Sequence, residues 1–299
     1  MKRAANPATL CLKRFLPGES VSLQESTLLQ RASALEIIEW FSLERNRYME
    51  SPQPQTKEQW VQEGNVHAAF HEYQQAIAAY EQALRLDPSY VRAYHNRGAA
   101  YADLKDYQQA IADFDQALRL APDSPATHYN RGAAYIDLKD YQQAIADFDQ
   151  ALRLDPGNAH AYYNRGCAYI ALNEYQQAIA DFDQTLRLDP SSADAYYNRG
   201  NAYAALHGYQ QAIADFDQAL ALDPSNAHIY HNRGAAYATL QGYQQALADF
   251  DQALALDPTH ARAHYHRGRV LQHLGRQAEA HHAFQQAESL GYEEAREIL

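Results

Sequence analysis

Val91 to Ser124 reads VRAYHNRGAAYADLKDYQQAIADFDQALRLAPDS, and close copies begin at Lys57, Pro125, Ala159, Ala193, Ala227 and Ala261. Gly64, Gly98, Gly132, Gly166, Gly200, Gly234 and Gly268 stand 34 residues apart, and Pro88, Pro122, Pro156, Pro190, Pro224 and Pro258 keep the same interval. Inside the quoted unit, Tyr94, Gly98 and Tyr101 recur at i, i+4 and i+7, the spacing of one helical face. Lys105-Asp106 marks a turn, served by Gly208 and Gly242 in later units. Ala110, Phe114, Ala117 and Leu118 form a second stripe that Pro122 ends. Small residues at Gly98 and Ala110 let the two helices approach, while Tyr101 and Phe114 fill the space around them. A lone helical hairpin cannot bury that face, so neighbours must stack on it. The pattern predicts an all-α solenoid of seven helix-turn-helix units over 57–90, 91–124, 125–158, 159–192, 193–226, 227–260 and 261–294.

This period resembles that of the tetratricopeptide repeat family. Counted from Val91, the family's first aromatic falls on Tyr94, its glycine on Gly98 and its second aromatic on Tyr101. Its small residue falls on Ala110, its phenylalanine on Phe114, its alanine on Ala117 and its proline on Pro122. The resemblance covers Lys57 to Glu294 and implies a right-handed superhelical solenoid. It also implies a protein-interaction scaffold that takes an extended peptide in its concave groove. The end units depart as caps do, with His67 for the second aromatic in the first unit, and Leu271, Gln277 and Tyr292 breaking the pattern in the last. Residues 292–299 read as a short closing helix with Ala295, Ile298 and Leu299 on one face.

Composition excludes several other functions. The 299 residues carry 25 Lys+Arg against 37 Asp+Glu, a net charge of −12, which opposes binding to nucleic acid or to an anionic membrane. Two cysteines, Cys11 and Cys167, make neither a disulfide framework nor a zinc site. No apolar run approaches the ~20 residues of a spanning helix, and Lys13-Arg14 breaks the apolar stretch behind the basic start. A cytoplasmic protein without membrane insertion is expected. The acid pair Asp113 and Asp115 recurs with the repeat, so it is repeat chemistry rather than a catalytic dyad. With no phosphate loop, metal motif or nucleophile motif, the expectation is no enzyme, no cofactor and no metal.

Position seven of each unit, usually leucine in the family, is Arg97, Arg131, Arg165, Arg199, Arg233 and Arg267. Position 25 of the preceding unit is Glu81, Asp115, Asp149, Asp183, Asp217 and Asp251. Acid in units one to six and arginine in units two to seven is what a bridge from each unit to the next requires. A guanidinium fork suits a carboxylate, and an exposed bridge contributes about 0–1 kcal/mol. Asp113 and its equivalents are competing partners for the same arginines.

Positions two, five, six, nine and thirteen lie on the side of the first helix away from its partner, the inner side in such arrays. Position six reads Asn96, Asn130, Asn164, Asn198 and Asn232. An amide offers donor and acceptor, so this ladder suits a peptide backbone of any sequence, and it resembles the asparagine ladders of peptide-binding tetratricopeptide superhelices. Repeat duplication or a local polar contact would place asparagine there too. Position five adds Tyr129, Tyr163, Tyr197 and Tyr265, aromatics with large area and few torsions. A carboxylate clamp like that of some family members would use Asn201, Asn232, Arg262 and His266, the last only if protonated, with Tyr197 standing where the family has lysine. His228, His231 and His266 gather on the same side; polar filling is the expectation, against a metal or pH-sensitive patch. Cys167 shares that side as a substitute for alanine.

Residues 1–56 lie outside the repeats. A helix over 22–48 is expected, with Ser22 and Glu25 as a capping box and Leu28, Ala32, Leu35, Ile38 and Phe41 on one face, followed by a Pro/Gln linker. It would cap the first repeat. The rival function is a structural array that forms homo-oligomers through this helix or the solenoid ends, and a third is a regulatory subunit of a separate enzyme.

Overall fold

The computed structural model describes residues 56–298; the helix expected at 22–48 and its linker lie outside the described residues. Fifteen helices and no strand occur among the described residues. The chain divides into two compact units, residues 1–138 and 139–299. The first unit holds α1 (Lys57–Ala69), α2 (Tyr73–Leu86), α3 (Val91–Asp103), α4 (Tyr107–Leu120) and α5 (Pro125–Asp137). The second holds α6 (Tyr141–Leu154), α7 (Ala159–Ala171), α8 (Tyr175–Leu188), α9 (Ala193–Ala205), α10 (Tyr209–Leu222), α11 (Ala227–Thr239), α12 (Tyr243–Leu256), α13 (Ala261–His273), α14 (Gln277–Ser289) and α15 (Glu293–Arg296). Within each unit every helix packs on the next. The first helices of successive repeats also touch: α1 meets α3 and α3 meets α5, while α7, α9, α11 and α13 meet in turn. That side of each unit is therefore the inner one.

The ends of the helices follow from local chemistry. Ser124, Asn158 and Ser192 cap α5, α7 and α9 by accepting the backbone N–H of Thr127, Ala161 and Ala195. Pro125 at the first turn loses no bond there. Asp189 closes the preceding loop by accepting the Ser191 N–H at 3.0 Å and its hydroxyl at 2.6 Å. The turn between paired helices falls at Lys105-Asp106, as the sequence leads one to expect. Gly208 and Gly242 have φ of −82° and −77°, which any residue adopts. The left-handed residue lies one position earlier: His71, Lys105, Lys139, Asn173, His207 and Gln241 have φ between 59° and 63°. Helix-terminal bonds impose it, as when the Asp106 N–H reaches Tyr101 O at 2.9 Å. A left-handed side chain costs about 1–2 kcal/mol, partly offset by glycine's entropy. Lys105→Gly is expected to raise stability by about 0.5–1 kcal/mol in denaturant unfolding.

Each repeat is filled by one aromatic ring: Tyr80, Phe114, Phe148, Phe182, Phe216, Phe250 and Phe284 are all fully buried. The ring lies where a glycine leaves room for it. A Cβ on Gly200 would come within 2.7 Å of Phe216 Cε1, and one on Gly98 within 2.8 Å of Phe114 Cε1. Alanine would gain about 1 kcal/mol of helix propensity at Gly200, but overpacking a buried ring costs about 1–3 kcal/mol. Gly200→Ala is expected to be destabilising by thermal melting, against propensity. At the C-terminus α15 is a single turn: Ala295 is buried against Leu271, Phe284 and Ala287. Ile298, expected on the same buried face, remains 37% exposed, because the helix ends at Arg296 before it can turn that residue inward.

Candidate functional site

The position-seven arginines of the fourth to sixth repeats grip two acids at once. Arg165 donates through Nε and Nη2 to Asp181 of its own repeat, at 2.8 and 2.6 Å, and through Nη1 to Asp149 of the preceding repeat at 2.5 Å. Its guanidinium lies 5.6 Å from the Tyr162 ring centroid. Arg199 holds Asp215 and Asp183 in the same way, and Arg233 holds Asp249 and Asp217. In the first unit Arg97 grips Asp113 at 2.8 and 2.7 Å, with Glu81 at 4.0 Å, and Arg131 reaches Asp115 at 2.5 Å. Arg267 holds Asp251 at 2.6 Å; alanine at 283 fills the register of the second acid. Asp113 and its equivalents, expected as competitors, are thus simultaneous partners, because one fork has two donor edges. Burial pushes the Asp181 carboxyl above its ordinary value although Arg165 opposes the rise. Bonded to Asp215, Arg199 is held above its ordinary value. These arginines are engaged, not offered to a ligand.

The position-six asparagines lie on the inner face, and four of them reach back to the preceding repeat. In the first unit Asn96 Nδ2 donates to Asn65 Oδ1 at 2.7 Å, and Asn130 Nδ2 lies 3.4 Å from His95 Nε2. In the second, Asn198 Nδ2 donates to the Tyr163 hydroxyl at 3.0 Å. Asn232 Nδ2 donates to Asn201 Oδ1 at 2.8 Å and the Tyr197 hydroxyl at 3.2 Å. Asn164 sits in the same register on α7. The amide nitrogens are thus tied inward, which orients the Oδ1 atoms. Among the described residues those of Asn96, Asn130 and Asn198 carry no hydrogen bond, whereas Asn232 Oδ1 is engaged by His231 Nδ1 at 3.0 Å. The position-five groups that anchor the amides, His95, Tyr163 and Tyr197, were missed as anchors in the sequence. The signal was there: each stands 35 residues before its asparagine.

Other residues on this face fall into place by burial. Burial pushes the Cys167 thiol up to about 11, which disfavours the thiolate near neutral pH. The Tyr265 ring packs 4.8 Å from Tyr292, and its hydroxyl accepts from Arg269 Nη1 at 3.3 Å. The clamp residues do not assemble as cations around a free amide pair. Asn201 and Asn232 bond to each other, and burial, with Arg262 and Arg269 nearby, holds His266 down to about 4 and therefore neutral near pH 7. Arg262 alone stays exposed and charged. The histidines do come together: His231 lies 5.3 Å from His266 and 4.7 Å from His260, and His228 lies 5.1 Å from His260. Among the described residues no group of three or more His, Cys, Asp or Glu is arranged to hold a metal ion, and no helix is long and apolar enough to cross a membrane.

Comparison with known proteins agrees with the repeated helix-pair fold. Tetratricopeptide repeat family models match residues 125–158, and 61–125, 163–227 and 197–242, and a further TPR repeat model matches 240–275. A search of curated proteins gives no match. Among solved structures, YrrB, described as a TPR protein with an unusual peptide-binding site, aligns over 62% of this chain and 96% of its own at 24% identity and a TM-score of 0.58. MamA aligns over 55% of this chain and 96% of its own at 27% identity and 0.52. A tetratricopeptide repeat protein from Parabacteroides merdae aligns over 82% of this chain and 98% of its own at 23% identity and 0.59.

Proposed function

The chain belongs to the tetratricopeptide repeat family, and on that footing we propose that this protein-interaction scaffold binds an extended peptide along the inner face of its first helices. The observation that carries the reading is the orientation of the asparagines. With Nδ2 donating to the preceding repeat, each amide has its rotamer set before a ligand arrives, and Oδ1 of Asn96, Asn130 and Asn198 remains to accept a peptide N–H. Preorganisation of this kind lowers the cost of binding. Tyr163, Tyr197 and Tyr265 give the side chains of the peptide apolar area, and the Tyr197 O–H adds a donor for a peptide carbonyl. Asn232 is left out, since its carbonyl is already taken. The carboxylate clamp is not part of this reading: of its four residues only Arg262 is free to act as a cation.

Recognition through the backbone has a direct test. Peptides selected from a displayed random library against the full chain are resynthesised with single backbone N-methyl groups. Binding is expected to fall about tenfold or more at several positions, each losing one N–H to an asparagine. Tolerance of N-methylation at every position would refute backbone reading by the ladder. The rival, self-association through the N-terminal helix, rests on residues outside the described ones.

A further inference from the structure

Where the inner face of the third to fifth repeats carries tyrosine and asparagine at positions five and six, the sixth and seventh repeats carry imidazoles; the second has His95 alone, at position five. His231 takes position five, held by tyrosine in Tyr129, Tyr163, Tyr197 and Tyr265, and His266 takes position six, held by asparagine from Asn96 to Asn232. His228 and the α13 cap His260 complete a ring-to-ring cluster. The hydrogen bonds fix the tautomers. Asn232 Nδ2 is spent on Asn201 and Tyr197, so its Oδ1 accepts, and His231 Nδ1 carries the hydrogen. His231 Nε2 is then a bare lone pair, in a residue 5% exposed. His260 Nδ1 accepts the Ala263 N–H at 3.4 Å, so its hydrogen lies on Nε2. Both Nε2 atoms are buried without a hydrogen-bond partner.

A proton added here meets little negative charge. From α13, Arg262 and Arg269 act on the cluster with positive charge, and Arg267 is turned to Asp251. From α11, Arg233 is bound to Asp249 and Asp217. From α12, the Phe250 ring packs on His231 and His266, and its acids Asp249 and Asp251 are held by those arginines. From α9 come the neutral Tyr197 and Asn201. Asp257, in the loop before α13, favours a charged His260 but is itself bonded to Thr259.

We propose that the junction of the sixth and seventh repeats is a proton-triggered opening, closed while His231, His260 and His266 are neutral and driven apart when they gain charge. Burial holds His231 down to about 3 and His266 to about 4, against an ordinary 6.5. A histidine depressed in the folded state stabilises fully above its unfolded value, and that contribution drains as pH falls from 6.5 toward the folded values. Among the described residues the seventh repeat packs on the sixth and on the single turn α15, so its local opening leaves the interfaces of the earlier repeats in place.

The test is hydrogen exchange of the full chain by mass spectrometry at pH 7.5, 6 and 5, corrected for intrinsic exchange. Protection over 227–298 is expected to fall about tenfold or more from pH 7.5 to 5, with 159–192 unchanged. The double variant His231→Tyr with His266→Asn, which installs residues the chain uses in its other repeats, is expected to hold its protection within about threefold. An equal fall in both proteins, or a fall spread evenly over the repeats, would overturn the proposal. Should the double variant lack protection even at pH 7.5, His260→Asn decides, since asparagine already caps α7 at Asn158. A smaller fall than in the unaltered chain supports the opening, and an equal one overturns it.

Discussion

Arg165→Ala is expected to cost about 3–5 kcal/mol of stability, while Asp149→Ala costs about 0–1 kcal/mol. The two acids that Arg165 joins live in different surroundings. The Asp149 side chain is 51% exposed, so water replaces most of what the guanidinium gives it. The Asp181 side chain is 5% exposed, and without Arg165 its charge is buried unpaired. The deficit should also depend on pH. Asp181 already lies above its ordinary 3.8 through burial, and losing the opposing guanidinium drives it higher. For a carboxyl raised in the folded state, stability is present below the unfolded value and lost as pH rises through the folded one. The penalty of Arg165→Ala should therefore shrink between pH 7 and 4 in urea titrations. Equal costs for the two variants would show that the inner, same-repeat bond does not hold the arginine.

Phe182→Ala carries a comparable penalty, about 3–5 kcal/mol, by a different route. The ring is 0% exposed, sits over Gly166 and lies 5.9 Å from the Tyr163 ring. It packs among Ala178, Leu186, Ala195 and the side chains of Tyr163 and Cys167, which the helices hold in place, so lost contacts and a residual cavity both count. In an array bound by nearest-neighbour contacts, a weak fourth repeat also uncouples its flanks. Thermal unfolding followed by circular dichroism should broaden into two steps. A single transition at an unchanged midpoint would contradict this packing.

The fold was legible because it is written seven times: the 34-residue spacing of Gly98 and Pro122 and the stripe through Phe114 name both helices and their partner faces. The arginine clip was half legible. Asp149 and Asp181 stand 16 residues before and after Arg165, and spacing cannot show that one planar fork serves both. The turn at Lys105-Asp106 was legible, but not which of its residues is left-handed, because helix-end bonds impose that backbone on Lys105 and side-chain type does not announce it. The asparagine ladder was read as donor and acceptor together; which end is spent depends on the tyrosine or histidine one repeat back. His266 looked like a spare cation because burial and the charges of Arg262 and Arg269 arise only when α11, α12 and α13 pack.

The central claim is that these oriented amides hold a peptide, and affinity for library-selected peptides measures it. Fluorescence anisotropy compares the unaltered chain with Asn130→Ala/Asn198→Ala, with melting as the control, since each lost side-chain bond costs about 1 kcal/mol of folding. The account predicts binding about tenfold or more weaker with helicity retained. Unchanged affinity in a folded double variant would contradict it and move the partner off the inner face.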